Sequence, residues 1–314
     1  MVIMSFSSAP DAETLGRVAG ALAVDEAFVE KDWFVVQAVQ LLLGVGTSDI
    51  APAFSGGTAL LKAHQLIKRF SEDIDFKLAL SEAFLAKSQG QRKNALSGFK
   101  KDLAATWEAA GFTNLQIEAG SGNAFIRIEM DYPTVLQGHA ALRPHILAEL
   151  SAKPPRLVPH HCPVGSFVAQ FRGVPPEVAS IACVDPVETA ADKLSAFAWR
   201  TLVRERGTEK DDPTIIRHVH DLAALEATIS GDGRFGALLI DTLIADSHRG
   251  GGAVADLPPR ERLVAMCTKL ETDTLYADEY RRFVEGMAFA GASEIPTFEA
   301  AALALRRLSA LLPE

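Results

Sequence analysis

Two aspartates one residue apart open the chemistry of this chain. Asp73 and Asp75 lie in Asp73-Ile74-Asp75-Phe76-Lys77-Leu78, whose strict alternation predicts a β-strand with one buried face. On a strand, residues i and i+2 point the same way, so both carboxylates project together from the other face. Side by side they offer hard oxygen ligands to a divalent cation such as Mg²⁺. Paired acids are common on solvated strands, and the triplet alone is a weak signal. Its surroundings strengthen it. Upstream lies Ser55-Gly56-Gly57-Thr58, between a short apolar strand, Ile50 to Phe54, and a helical segment predicted over Ala59 to Arg69. At such a turn the backbone N–H groups and the helix dipole bind phosphate. A phosphate cradle beside a metal-binding pair spells nucleotide chemistry. Read as structure alone, the glycines make a turn and Thr58 is a helix cap.

Other nucleotide motifs are excluded. Gly56 to Lys62 lacks the second glycine of a P-loop, and Ala63 follows Lys62 where that motif needs Ser or Thr. Gly44-Val45-Gly46 lacks the third glycine of a dinucleotide fingerprint and follows a helical run. His160-His161-Cys162 has no second ligand pair at a spacing that zinc could use.

Composition narrows the classes further. The 314 residues carry 31 Lys and Arg against 40 Asp and Glu, a formal net charge of −9, so any polyanion must meet a local basic patch. The longest acid-free basic stretch, residues 83 to 101, holds Lys87, Arg92, Lys93, Lys100 and Lys101. It reads as a solvated helix face or as a set of RNA phosphate contacts. The three cysteines, none in a C-x-x-C pair, suit a reducing cytoplasm. No apolar run approaches the roughly 20 residues that span a bilayer, so no membrane partner is expected.

The elements that must position these residues fall into two classes. Residues 11 to 43 have helical periodicity. Residues 44 to 150 mix helix and strand, with a helical run over 83 to 110 and further strands over 115 to 117, 124 to 132 and 144 to 150. From Asp185 onward the pattern is almost wholly helical, beginning with Pro186 to Arg204 and Pro213 to Ile229. This composition shift puts a boundary in the Gly- and Pro-containing stretch near residues 175 to 184. We therefore expect an α/β (α+β) core over 1–178, with a helical lead-in, followed by a helical domain over 179–314.

Phe54 to Asp75 resembles the G-G-T-x-L-x-K…R-x-S-x-D-[IL]-D signature of the AbiEii/AbiGii-type nucleotidyltransferase toxins of type IV toxin–antitoxin and abortive-infection systems. The match takes in Gly56, Gly57, Thr58, Leu60, Lys62, Arg69, Ser71, Asp73 and Asp75. Three outlying runs are similar to motifs of the same family: Glu30-Lys31-Asp32-Trp33, Glu188 to Leu194, and Arg217-His218-Val219-His220-Asp221-Leu222. The chain departs from the pattern at Asp192, usually Glu, and at His220, usually aromatic.

The resemblance implies a nucleotidyltransferase-fold mixed sheet and Mg²⁺- or Mn²⁺-dependent transfer of a nucleoside monophosphate from an NTP, bound between the two domains. It implies an acceptor at the 3′ end of tRNA, arrested translation, and an antitoxin protein encoded nearby. A protein-modifying nucleotidyltransferase or kinase of the same fold, or a non-catalytic NTP-binding module, is the alternative. In this reading Asp73 and Asp75 hold the metal. The third carboxylate is Glu149, in a run similar to a family pattern, ahead of Glu129. Gly56, Gly57 and Thr58 bind phosphates, and Lys62 reaches a phosphate or sits in solvent. Ser71 caps the D-x-D strand or contacts nucleotide as a regulatory hydroxyl. Lys193, at the edge of an apolar stripe, contacts the triphosphate as a point charge. Asp221, otherwise a surface partner of Arg217, orients Lys193 or the base.

Overall fold

A computed structural model describes residues 6–208, 211–289, 291 and 294–313. In chain order the elements are α1 (Ala12–Leu22), α2 (Glu26–Val45), β1 (Ile50–Ser55), α3 (Gly56–Lys62), β2 (Asp73–Leu80), α4 (Glu82–Leu85) and α5 (Gln89–Ala110). There follow β3 (Thr113–Gly120), β4 (Phe125–Asp131), β5 (Ile146–Ser151), β6 (His160–Val164), α6 (Phe167–Arg172) and β7 (Val178–Cys183). The helical remainder is α7 (Pro186–Val203), α8 (Arg217–Ile229), α9 (Phe235–Ala245), α10 (Gly252–Ala255), α11 (Pro259–Thr272), α12 (Leu275–Met287) and α13 (Phe298–Ser309). No described helix is long and apolar enough to cross a membrane.

The chain divides into two compact units. The first comprises residues 1–65 and 70–184, the second residues 66–69 and 185–314.

In the first unit a seven-stranded mixed sheet has the order β3-β4-β5-β2-β1-β7-β6. β2 runs antiparallel to β1 and parallel to β5, and β1 pairs parallel with β7. Alternation decides the faces, because one side of each strand must leave water. Ile74, Phe76, Leu78, Ile126, Ile128, Ala148 and Leu150 are all buried. Helices α2 and α5 cover this apolar face with Val35, Val39, Leu103 and Trp107, and the Trp107 indole donates to the Ala38 carbonyl at 3.1 Å. Local signals fix their ends. Asp25 accepts from the Ala27 N–H to cap α2, while Ser88 and Gln91 form a reciprocal capping box on α5. Gly111, at φ +114°, stops α5 in the left-handed conformation.

Two strands escaped the pattern. β6 contains Pro163 and opens on two adjacent histidines with no alternation, and β7 is the six-residue run Val178–Cys183 beside the Gly- and Pro-containing stretch that suggested a boundary. The segment predicted as one helix to Arg69 also ends early, at Lys62. Gln65 takes a left-handed φ of 55°, and Leu66–Arg69 then joins the second unit, where Arg69 bridges to Ala288 and Lys68 O accepts from Phe289 N.

The second unit is helical around α7, which packs against α8, α9 and α11. Asp185 caps α7 by accepting from Val187 N at 2.8 Å, and Pro186 occupies its first turn.

Candidate active site

Asp73 and Asp75 stand on the face of β2 opposite the buried Ile74 and Phe76. Successive register pairs place Ser55, Asp75, Glu149, Arg127 and Glu118 in one row across five strands. The next row runs Asp73, Leu147, Glu129 and Gln116. Glu149 is thus the immediate neighbour of Asp75, with Arg127 Nε 3.9 Å from its carboxylate. Glu129 is separated from Asp73 by Leu147, and its carboxylate lies 2.6 Å from Arg127 and 3.7 Å from His145.

Gly56 explains the glycine turn. Its φ is +74°, and a β-carbon there would fall 1.9 Å from Asp75 Oδ2. Only glycine leaves room for that carboxylate and takes that conformation without strain. Ser55, which precedes α3, gives it no side-chain cap.

Thr58 acts inside the protein, against the half-buried Ser71. The Thr58 hydroxyl, 1% exposed, donates to the Asp73 carbonyl oxygen and lies 3.0 Å from Ser71 Oγ. It caps no helix; it ties α3 to the start of β2. Lys62 reaches neither solvent nor an open phosphate site. It is 2% exposed, ion-paired with Asp32, with its ammonium 3.3 Å from the centre of the Phe167 ring.

Glu30, Lys31 and Asp32 form a set of internal ties that the sequence did not disclose. Glu30 accepts from Val135 N at 2.8 Å, and Asp32 accepts from Phe167 N at 2.7 Å. Lys31 pairs with Glu72 and donates to the carbonyls of Arg143 and His145, at 2.6 and 2.9 Å. Burial pushes its ammonium below the ordinary lysine range, against the pull of Glu72. Arg143 in turn donates from Nη1 to Asp73 Oδ1 at 2.7 Å.

The donor set suits a hard cation, being carboxylate oxygen throughout. Among the described residues no three His, Cys, Asp or Glu side chains are grouped as a ready metal cage. Mg²⁺ commonly takes only one or two carboxylates and completes its shell with substrate phosphate and water, a requirement the Asp73/Asp75 pair meets.

In the second unit Asp221 is fully buried and does not make the surface pair expected with Arg217. Arg69 grips it twice, Nε to Oδ1 at 2.7 Å and Nη2 to Oδ2 at 2.6 Å, and Lys193 Nζ lies 2.8 Å from Oδ2. Burial alone would raise the Asp221 carboxyl, but Arg69 and Lys193 outweigh it and hold it well below its usual range. Lys193 is 8% exposed, not solvated at the edge of a stripe, and burial pushes its ammonium down while Asp221 opposes this. The adjacent His218 is buried with neither ring nitrogen hydrogen-bonded, and burial, then Lys193 and Arg217, hold it well below 6.5.

Of the basic stretch, Lys87 pairs with Asp49 and Lys100 donates to Asn123. Lys93 and Lys101 are exposed on α5, which packs on the apolar face of the sheet, away from Asp73 and Asp75.

The sequence profile described as "Nucleotidyl transferase AbiEii toxin, Type IV TA system" matches residues 43–304. The chain belongs to the AbiEii nucleotidyltransferase toxin family. Among solved structures it is similar to MenT4, a nucleotidyltransferase toxin from Mycobacterium tuberculosis H37Rv, at 16% identity and a TM-score of 0.51, over 95% of this chain and 99% of that one. At that identity the likeness speaks for the fold. No curated protein matches. Membership in the AbiEii family makes the chain a nucleotidyltransferase that uses an NTP.

Proposed function

We propose that this AbiEii-family protein transfers a nucleoside monophosphate from an NTP to the 3′-terminal hydroxyl of an RNA, tRNA foremost, with Mg²⁺ or Mn²⁺ held by Asp73 and Asp75, and with Glu149, the register neighbour of Asp75, as the third carboxylate beside them. The observation that carries this reading is the contact between Gly56 and Asp75. It sets the glycine turn directly against Asp75, which supports reading the turn as a phosphate cradle and the carboxylate as a metal ligand. A divalent cation bound there would neutralise phosphate charge and lower the pKa of an attacking hydroxyl. The chain supplies the rest. Gly56 and Gly57 present backbone N–H groups to phosphate, and Thr58 fixes α3 to β2 so that turn and carboxylates keep their spacing. In the transfer the acceptor oxygen bonds to the α-phosphorus, the α–β P–O bond breaks, pyrophosphate leaves and the hydroxyl proton passes to solvent. Lys193, oriented by Asp221, is the proposed phosphate-binding cation of the second unit. Type IV membership implies a partner antitoxin, and we propose that its gene lies nearby.

Incubating the protein with total RNA, each labelled NTP and Mg²⁺ tests this reading. Label should enter tRNA, and Asp73→Asn or Asp75→Asn should abolish it in folded protein. Activity within about tenfold of the parent in either variant, only about 1.4 kcal/mol of barrier, would refute the metal assignment.

A further inference from the structure

Arg143 is held unlike an ordinary surface arginine. Its backbone N–H donates to both Glu72 oxygens, at 3.2 and 3.1 Å, and its carbonyl accepts from the buried Lys31 at 2.6 Å. Lys31 also takes the His145 carbonyl at 2.9 Å, so one ammonium clamps the chain on both sides of Pro144. Its side chain is far less confined, 36% exposed against 12% for its partner Asp73. The base of Arg143 is thus anchored and its head lies at the solvent edge of an ion pair with Asp73 Oδ1, 2.7 Å long.

We propose that Arg143 serves two partners in turn: Asp73 in the free protein, and the phosphates of the NTP once a metal ion takes Asp73. This rests on the reading of Asp73 as a metal ligand. A guanidinium and a divalent cation repel each other and compete for the same carboxylate, so a metal bound at Asp73 Oδ1 displaces the Arg143 head. The anchored backbone keeps the displaced head beside the metal-bound phosphates, and its planar fork suits their oxygens in two-pronged fashion. Before the metal arrives, Arg143 balances a carboxylate that is largely out of water. Afterwards it adds positive charge to the triphosphate.

The test measures Mn²⁺ binding to nucleotide-free protein by electron paramagnetic resonance, alongside steady-state kinetics with each NTP. Arg143→Gln should bind Mn²⁺ about fivefold tighter or better, the lower end of ordinary coupling between competing ligands. It should also raise the NTP KM by more than it changes kcat, and Arg143→Lys, which keeps the charge without the fork, should fall between. Thermal melts confirm that the variants are folded. Unchanged or weaker Mn²⁺ binding in Arg143→Gln overturns the proposal. Tighter Mn²⁺ with an unchanged NTP KM overturns it too, leaving a counter-ion that never meets substrate. Asp73→Asn separates this from the underlying reading: Mn²⁺ binding equal to the parent's would remove the metal from Asp73, whatever Arg143→Gln does.

Discussion

The Asp75 carboxylate occupies the space that a β-carbon on Gly56 would need, with Oδ2 1.9 Å from that point. The two residues are therefore a matched pair, and substituting the glycine is a change to the aspartate. Gly56→Ala should displace Asp75, strain the left-handed backbone and abolish transfer. Gly98→Ala is the control: nothing lies within 4 Å of its β-carbon, and in the middle of α5 it should gain about 0.5 to 1 kcal/mol. Activity and melting temperature of the two variants check this, and an active Gly56→Ala would show that the carboxylate tolerates the move.

Lys62→Met should lower stability far more than it alters nucleotide use. It leaves Asp32 buried and unpaired, a loss of about 3 to 5 kcal/mol by analogy with other broken buried pairs. Chemical denaturation gives the stability, and the NTP KM of the surviving folded fraction should stay near the parent's. A selective rise in KM would return Lys62 to the phosphates.

Asp221→Asn should be severe for the same reason, since it removes the anion from Arg69 and Lys193 together. We expect a loss of at least about 3 kcal/mol, read as a large drop in melting temperature. Lys193→Ala should lower both stability and turnover, because its ammonium is inside the protein. A Lys193→Ala variant that melts like the parent would contradict its buried placement.

The pH dependence of stability should carry the mark of His218. Its folded pKa lies below 6.5, so between these two values the unfolded chain binds the extra proton. Stability from this group is complete above 6.5 and is lost as pH falls, with a slope of up to about 1.4 kcal/mol per pH unit. Asp221 is also depressed and adds acid sensitivity only below its unfolded value of 3.8. Denaturation curves from about pH 7 to about pH 5.5, where unperturbed carboxylates are still ionised, should therefore flatten in His218→Leu. An unaltered slope would mean that His218 titrates normally.

Local periodicity made much of this molecule legible. The alternation of residues 73–78 marked β2, and the helical runs read after Asp185 correspond closely to α7, α8, α9, α11, α12 and α13, with only the four-residue α10 unforeseen. Glycine pairs and D-x-D spacing pointed to the turn and strand because both are short-range signals. What stayed hidden is set by partners far away in sequence. Nothing near Lys62 shows that Asp32 neutralises it. Lys193 looked half-solvated from its stripe because Asp221, which lets a charge be buried there, comes from another helix. β7 was obscured by the Pro and Gly before it, and its parallel pairing with β1 joins strands more than a hundred residues apart. Arg69 is a further case: the sequence showed it only as part of the motif ending in Asp75, and its partner Asp221 lies 152 positions along the chain.

The four residues Leu66–Arg69 belong to the helical unit, although the chain on either side of them belongs to the sheet unit. The helical unit is consequently discontinuous and cannot be excised as a single stretch of gene. A fragment starting at Asp185 would inherit Asp221 without its guanidinium, a buried anion with half of its countercharge gone. Shuffling between relatives faces the same constraint: a crossover placed between the units would have to carry a compatible arginine in the other parent's N-terminal half.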